Sequence, residues 1–111
     1  MYTRLAPRTM KRVEDFIGDH LHEDIDLAML ARLANVSRFH FARLFRASKG
    51  LSAMAYLEKC RMERAQALIL EGELQLASIA SLVGYDDPSY FTRRFRHYCG
   101  QTPSAWARAP H

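Results

Sequence analysis

Leu30-Ala31-Arg32-Leu33-Ala34-Asn35-Val36-Ser37-Arg38-Phe39-His40-Phe41-Ala42-Arg43-Leu44-Phe45-Arg46 decides the fold, because the same pattern returns later in the chain. The second copy reads Ile79-Ala80-Ser81-Leu82-Val83-Gly84-Tyr85-Asp86-Asp87-Pro88-Ser89-Tyr90-Phe91-Thr92-Arg93-Arg94-Phe95-Arg96. The copies close at Gly50 and Gly100. After a turn the offset is 50 positions, pairing Phe41 with Phe91, Arg43 with Arg93 and Phe45 with Phe95. Before the turn it is 49, so one residue is added between Tyr85 and Pro88. Asn35 occupies the turn of the first copy and Gly84 that of the second. These two residue types best tolerate the left-handed backbone, so both copies bend by related means. The repeat preserves polar residues as well as apolar ones, which points to a repeated task.

Spacing at about 100° per residue sorts the helix after each turn into two faces. In the first copy Phe41, Leu44, Phe45 and Ser48 gather inward, while Phe39, Ala42, Arg43 and Arg46 gather outward. In the second, Phe91, Phe95 and Tyr98 take the inner side and Ser89, Thr92, Arg93 and Arg96 the outer. One arginine pair holds its place while its neighbours change, as expected of a DNA-reading surface. A guanidinium fork donates two hydrogen bonds to guanine O6 and N7 in the major groove. Small or hydroxylated neighbours allow close approach, and Phe39 suits a thymine methyl. Arginines further round the helix are expected to meet phosphate. Arg94 stands where the first copy has Leu44, so a salt bridge or phosphate contact is expected there. A single arginine stripe reads most simply as a solvated face. Two equivalent stripes, each behind a matching turn, favour the DNA reading.

Charge distribution supports the same division. The 111 residues leave room for one domain or two small subdomains sharing an element. Hydrophobic residues make up 49% and charged residues 25%, an ordinary globular mix. Net charge is +4, yet no Asp or Glu lies between Ser37 and Leu57 or from Pro88 to His111. The acids collect instead at Glu14, Asp15, Asp19, Glu23, Asp24 and Asp26. Cys60 and Cys99 lack metal spacing and are expected to be reduced structural thiols. The five histidines form no ligand set with carboxylates or thiols, and no nucleophile motif is present. No catalytic residue, metal or cofactor is therefore expected. Without a signal-peptide core, or an apolar run near the roughly 18 residues of a membrane span, a cytoplasmic, nucleoid-associated chain with no membrane partner is expected.

The expected fold is all-α, with about seven helices in two helix-turn-helix subdomains joined by a long central helix, in a homeodomain-like arrangement. The first helix should run from about Thr9 to His20, with Val13, Phe16, Ile17 and His20 on one face. Asp26 caps a second over Leu27–Leu33, and Ser37 caps a third reaching Ser48. Ser52 begins the fourth, which extends to Leu70 and stops at Gly72. The fifth spans Leu76–Val83, and the sixth opens at Asp87-Pro88 and ends near Cys99. Thr102-Pro103 starts a short terminal helix through Trp106. Residues 1–111 then form one DNA-binding domain: a subdomain over 9–50, a linker helix over 52–71 and a subdomain over 74–107. The linker would measure roughly 28 Å at about 1.5 Å per residue. Major-groove segments on one DNA face recur every 34–36 Å or so. A monomer covering two unlike half-sites in direct order is expected.

These residues resemble the AraC/XylS family of bacterial transcription regulators, in its paired helix-turn-helix DNA-binding domain, from about Val13 to Ala107. The resemblance rests on Leu33-Ala34-Asn35-Val36-Ser37, Arg43-Leu44-Phe45-Arg46, and Tyr56-Leu57 with Arg61-Met62 and Ala65. Its most specific part is Ile79-Ala80, Gly84-Tyr85, Ser89-Tyr90-Phe91, Arg93, Phe95, Gly100 and Thr102-Pro103-Ser104. It implies base contacts at Arg38, Phe39, Ala42, Arg43, Ser89, Thr92 and Arg93, and phosphate contacts at Arg46 and Arg96, with Lys49 and Arg94 expected to join them. It further implies double-stranded DNA and RNA polymerase as partners, and activation of transcription. Phe41 stands where leucine is usual, Ala53 replaces the expected proline, and Pro88 opens the second reading helix. The chain reads either as a stand-alone member or as the C-terminal domain of a longer regulator. A different class of reading is a helical interaction module that binds an acidic partner without DNA sequence preference.

Overall fold

The computed structural model describes residues 3–111. Their regular structure is helical: α1 (Pro7–Asp19), α2 (Leu27–Ala34), α3 (Arg38–Lys49), α4 (Ala53–Glu71), α5 (Leu76–Leu82), α6 (Pro88–Cys99) and α7 (Pro103–Arg108). The expected caps form. Asp26 accepts the Met29 N–H at 2.8 Å, Ser37 that of His40 at 3.1 Å, and Ser52 that of Ala55 at 3.1 Å. Asp87 accepts from Ser89 at 3.0 Å and Thr102 from Ala105 at 3.2 Å. Each such cap stabilises its helix by about 1 kcal/mol. The first helix begins earlier than the expected Thr9, because Pro7 takes its first turn, where a missing N–H costs nothing. Ala6 before it supplies no side-chain cap.

Both turns use one hydrogen-bond scheme. Asn35 sits at φ 57° and Gly84 at φ 98°. The Val36 N–H donates to Ala31 O at 3.1 Å and the Asn35 N–H to Arg32 O at 3.1 Å. Forty-nine positions later, Tyr85 donates to Ala80 O at 2.9 Å and Gly84 to Ser81 O at 3.1 Å. This pair of bonds is the Schellman helix end, which needs a left-handed residue at its corner. The extra residue of the second copy therefore lies beyond the turn, in Asp86-Asp87, where it lengthens the step into α6.

The chain divides into two units, one ending at Cys60 and the other running from Arg61 to His111. The first buries Val13, Ile17, Leu30, Phe41 and Phe45 with Ala53 and Leu57 of α4. The second buries Ile79, Ala80, Val83, Phe91 and Phe95 with Met62, Ala65 and Leu68 of α4. The linker helix α4 thus supplies side chains to both cores. The tilted pairs Phe41–Phe45 and Phe91–Phe95 have centroid distances of 5.7 and 5.8 Å and sit at matching places in the two units.

The inner face of α3 is as expected: Phe41, Leu44 and Phe45 are buried and Ser48 is half-buried. Ser48 Oγ donates to Leu44 O at 2.8 Å and accepts the Leu5 N–H at 2.9 Å, tying the segment before α1 to α3. On α6 one inner assignment is corrected. Tyr98 is exposed, not packed inward. Trp106 of α7 stands edge-on to Phe95 at 6.0 Å, and Cys99 packs against the core from the adjacent position. Both side chains belong to the apolar surround of the second core, which Tyr98 does not join.

Candidate nucleic-acid interface

Inward packing of Phe41, Leu44 and Phe45 turns the opposite side of α3 to solvent. Arg38, Phe39, Arg43 and Arg46 are exposed there, and Ala42 is half-buried. On α6 the burial of Phe91 and Phe95 leaves Ser89, Arg93 and Arg96 exposed, with Thr92 half-buried like its counterpart Ala42. Neither helix contains an Asp or Glu. Their last turns carry Arg46 and Lys49, and Arg96 and His97, where cations also complement the helix dipole.

Phe39 is the most informative side chain of the first face. It is 76% exposed at the start of α3. Beside it lies a recess of about 420 Å³ lined by Asp26, Leu27 and Ala28 of the α2 end and by Arg38, Phe39 and Ala42. A large ring left in water next to apolar atoms offers a contact surface for a flat or methylated group. The second copy has Ser89 at this place, a hydrogen-bonding group instead of an apolar one.

Arg93 has a partner that the sequence reading missed. Its guanidinium lies 5.7 Å from the centroid of the Tyr90 ring. The available signal was the three-residue helical spacing between them, which puts both on one face. The first copy has His40 at the position of Tyr90.

Two of the expected phosphate-contacting residues differ from the rest. Lys49 Nζ donates to Glu14 Oε2 at 3.0 Å and lies 5.0 Å from the Tyr56 ring centroid. The Tyr56 hydroxyl donates to the same carboxylate oxygen at 3.3 Å. Burial, seconded by a hydrogen bond with Cys60, pushes that hydroxyl above the usual tyrosine range and keeps it a neutral donor. Lys49 therefore spends its charge on joining α3 to α1 and α4. Arg94 is half-buried, whereas its counterpart Leu44 lies inside the core. Among the described residues no group of three or more His, Cys, Asp or Glu side chains is placed to hold a metal ion. None of the described helices is long and apolar enough to cross a membrane.

Two turn-linked helix pairs, each offering an acid-free arginine face on its second helix, define a helix-turn-helix protein of nucleic-acid-binding type. Residues 30–109 match a family model described as a helix-turn-helix domain, and the chain belongs to that family in its AraC/XylS form. The family is one of DNA-binding transcription regulators, not of enzymes. The chain is similar to the arabinose operon regulatory protein of Salmonella typhimurium, at 33% identity over 104 residues, covering 90% of this chain and 37% of that protein. Among solved structures it is similar to the C-terminal domain of AraT, a response regulator from Geobacillus stearothermophilus. That match has a TM-score of 0.86 and 35% identity, covering 95% of this chain and 87% of that one. It is similar as well to the DNA-binding domain of AdpA, a global transcriptional factor, in complex with a target DNA. There the TM-score is 0.83 and the identity 29%, with 89% of each chain covered. The chain spans about a third of the length of the curated relatives it matches.

Proposed function

We propose that this chain binds double-stranded DNA by sequence and regulates transcription, α3 and α6 each entering one of two adjacent major-groove segments. The observation that carries the reading is the pair of exposed arginine faces at equivalent positions of two acid-free helices. Similarity to a DNA-binding domain solved on its target DNA supports it. Arg43 and Arg93 are assigned to guanine edges, with Arg38, Phe39 and Ala42, and Ser89 and Thr92, lining the neighbouring bases. Arg46 and Arg96 contact phosphate and fix the register, with Arg94 at the edge of that set. Lys49 contributes least to it, since Glu14 already compensates its charge. Activation through RNA polymerase, action as a monomer and a place on the bacterial nucleoid belong to the same proposal.

Competition for a duplex enriched from random sequence tests this reading against an acidic-partner module. The unlabelled duplex should displace the labelled one at far lower concentration than a scrambled duplex of equal length. Equal displacement by the scrambled duplex or by polyglutamate would replace the regulator reading with a general polyanion binder.

A further inference from the structure

We infer that Tyr90 is a positioning residue for Arg93, so that the second reading helix presents its guanidinium already ordered before DNA arrives. The inference rests on the assignment of Arg93 to a base edge. Arginine is among the side chains that lose most rotamer freedom when fixed, and that loss weakens any contact it makes. A partner that holds the side chain in advance removes part of the loss, which is preorganisation. Tyr90 has the geometry for this. It stands one helical turn before Arg93, is half exposed, and has its ring 5.7 Å from the guanidinium.

The ring is itself held. Tyr90 packs on Tyr85 at 5.9 Å, Tyr85 on Phe91 at 5.4 Å, and Phe91 on Phe95 at 5.8 Å. Tyr85, Phe91 and Phe95 are all buried. Contacts between rings therefore run without a break from the core of the second unit to the exposed arginine. The Arg61 guanidinium, 5.6 Å from the Tyr85 ring, adds a further contact to this row. In the first unit Val36 and His40 occupy the places of Tyr85 and Tyr90, so the row is absent there. No ion pair or ring contact holds Arg43 among the described residues. The two reading arginines thus differ in freedom although their backbone positions match. A cation over an exposed ring is worth a factor of about two to five in an equilibrium. The second half-site should accordingly be discriminated more sharply than arginine alone would allow.

The test uses the whole chain and a set of duplexes in which each base pair of the enriched site is changed in turn. Arg93→Ala first marks the base pair whose preference it relaxes. Tyr90→Leu should reduce preference at that pair about two- to fivefold, leaving first-half-site preference unchanged. Tyr90→Phe, which keeps the ring, should restore it. Tyr90→Leu combined with Arg93→Ala should behave as Arg93→Ala alone. Thermal unfolding of each variant is measured in parallel, and Tyr90→Gln repeats the test if the leucine variant is unstable. Weaker binding to every duplex alike, or lost thermal stability with base preference intact, overturns the bracing role. If Arg93→Ala relaxes nothing, the base assignment fails and the brace with it. If Arg93→Ala relaxes a pair that Tyr90→Leu and Tyr90→Gln leave untouched, only the brace fails.

Discussion

Leaving a phenylalanine ring 76% exposed, as at Phe39, forgoes burial worth about 1.5–3 kcal/mol. A surface that recovers some of this on contact with a thymine methyl gives the position a purpose. Replacing thymine by uracil removes that methyl alone. At one position of the first half-site the swap should weaken binding by about 0.8 kcal/mol, roughly fourfold, in the parent chain. Phe39→Ala should be insensitive to the same swap, and equal sensitivity of both proteins would refute the contact. Lys49 and Arg46 separate in a similar way. Lys49→Ala removes a half-buried ion pair and should lower stability by up to about 1 kcal/mol, with the salt dependence of binding little changed. Arg46→Ala should leave stability alone and reduce the salt slope by about one. Thermal unfolding and salt titration of both variants check this pair, and interchanged results would reverse their roles.

At the scale of elements, the faces of α3 and α6 follow from one ring placed twice. Phe45 and Phe95 are fully buried at matching positions. Phe45→Ala or Phe95→Ala should each cost about 3–5 kcal/mol of stability, measured by denaturant unfolding. An unchanged midpoint in either variant would reverse the inside-outside assignment. Local chemistry made these elements legible beforehand. Asn35 and Gly84, the caps at Asp26, Ser37, Ser52, Asp87 and Thr102, and the arginine stripes all act within a few residues of themselves. What stayed hidden depends on partners distant in sequence. Lys49 meets Glu14 across 35 positions, and Leu5 meets Ser48 across 43. Phe95 meets Trp106 of a different helix, while Tyr98 stays exposed. Periodicity within α4 also gave no sign that Ala53 and Leu57 serve one core while Met62, Ala65 and Leu68 serve another.

For the molecule as a whole, a net charge of +4 is modest, and its function lies in placement. Acid-free helices carry the cations toward a polyanion, while Glu14 of α1 ties down Lys49 at the end of α3. Each phosphate neutralised should steepen the fall of log affinity with log salt by about 0.9, so a salt titration should slope strongly downward. A flat titration would contradict phosphate contact altogether. Sequence reading is the sharper claim, and selection of bound duplexes from a random pool measures it for both helices together. The parent chain should enrich two unlike sequence blocks in direct order, one helical turn apart. Arg43→Ala should blur one block and Arg93→Ala the other. Enrichment of no sequence, or loss of both blocks in either variant, would contradict two separately reading helices.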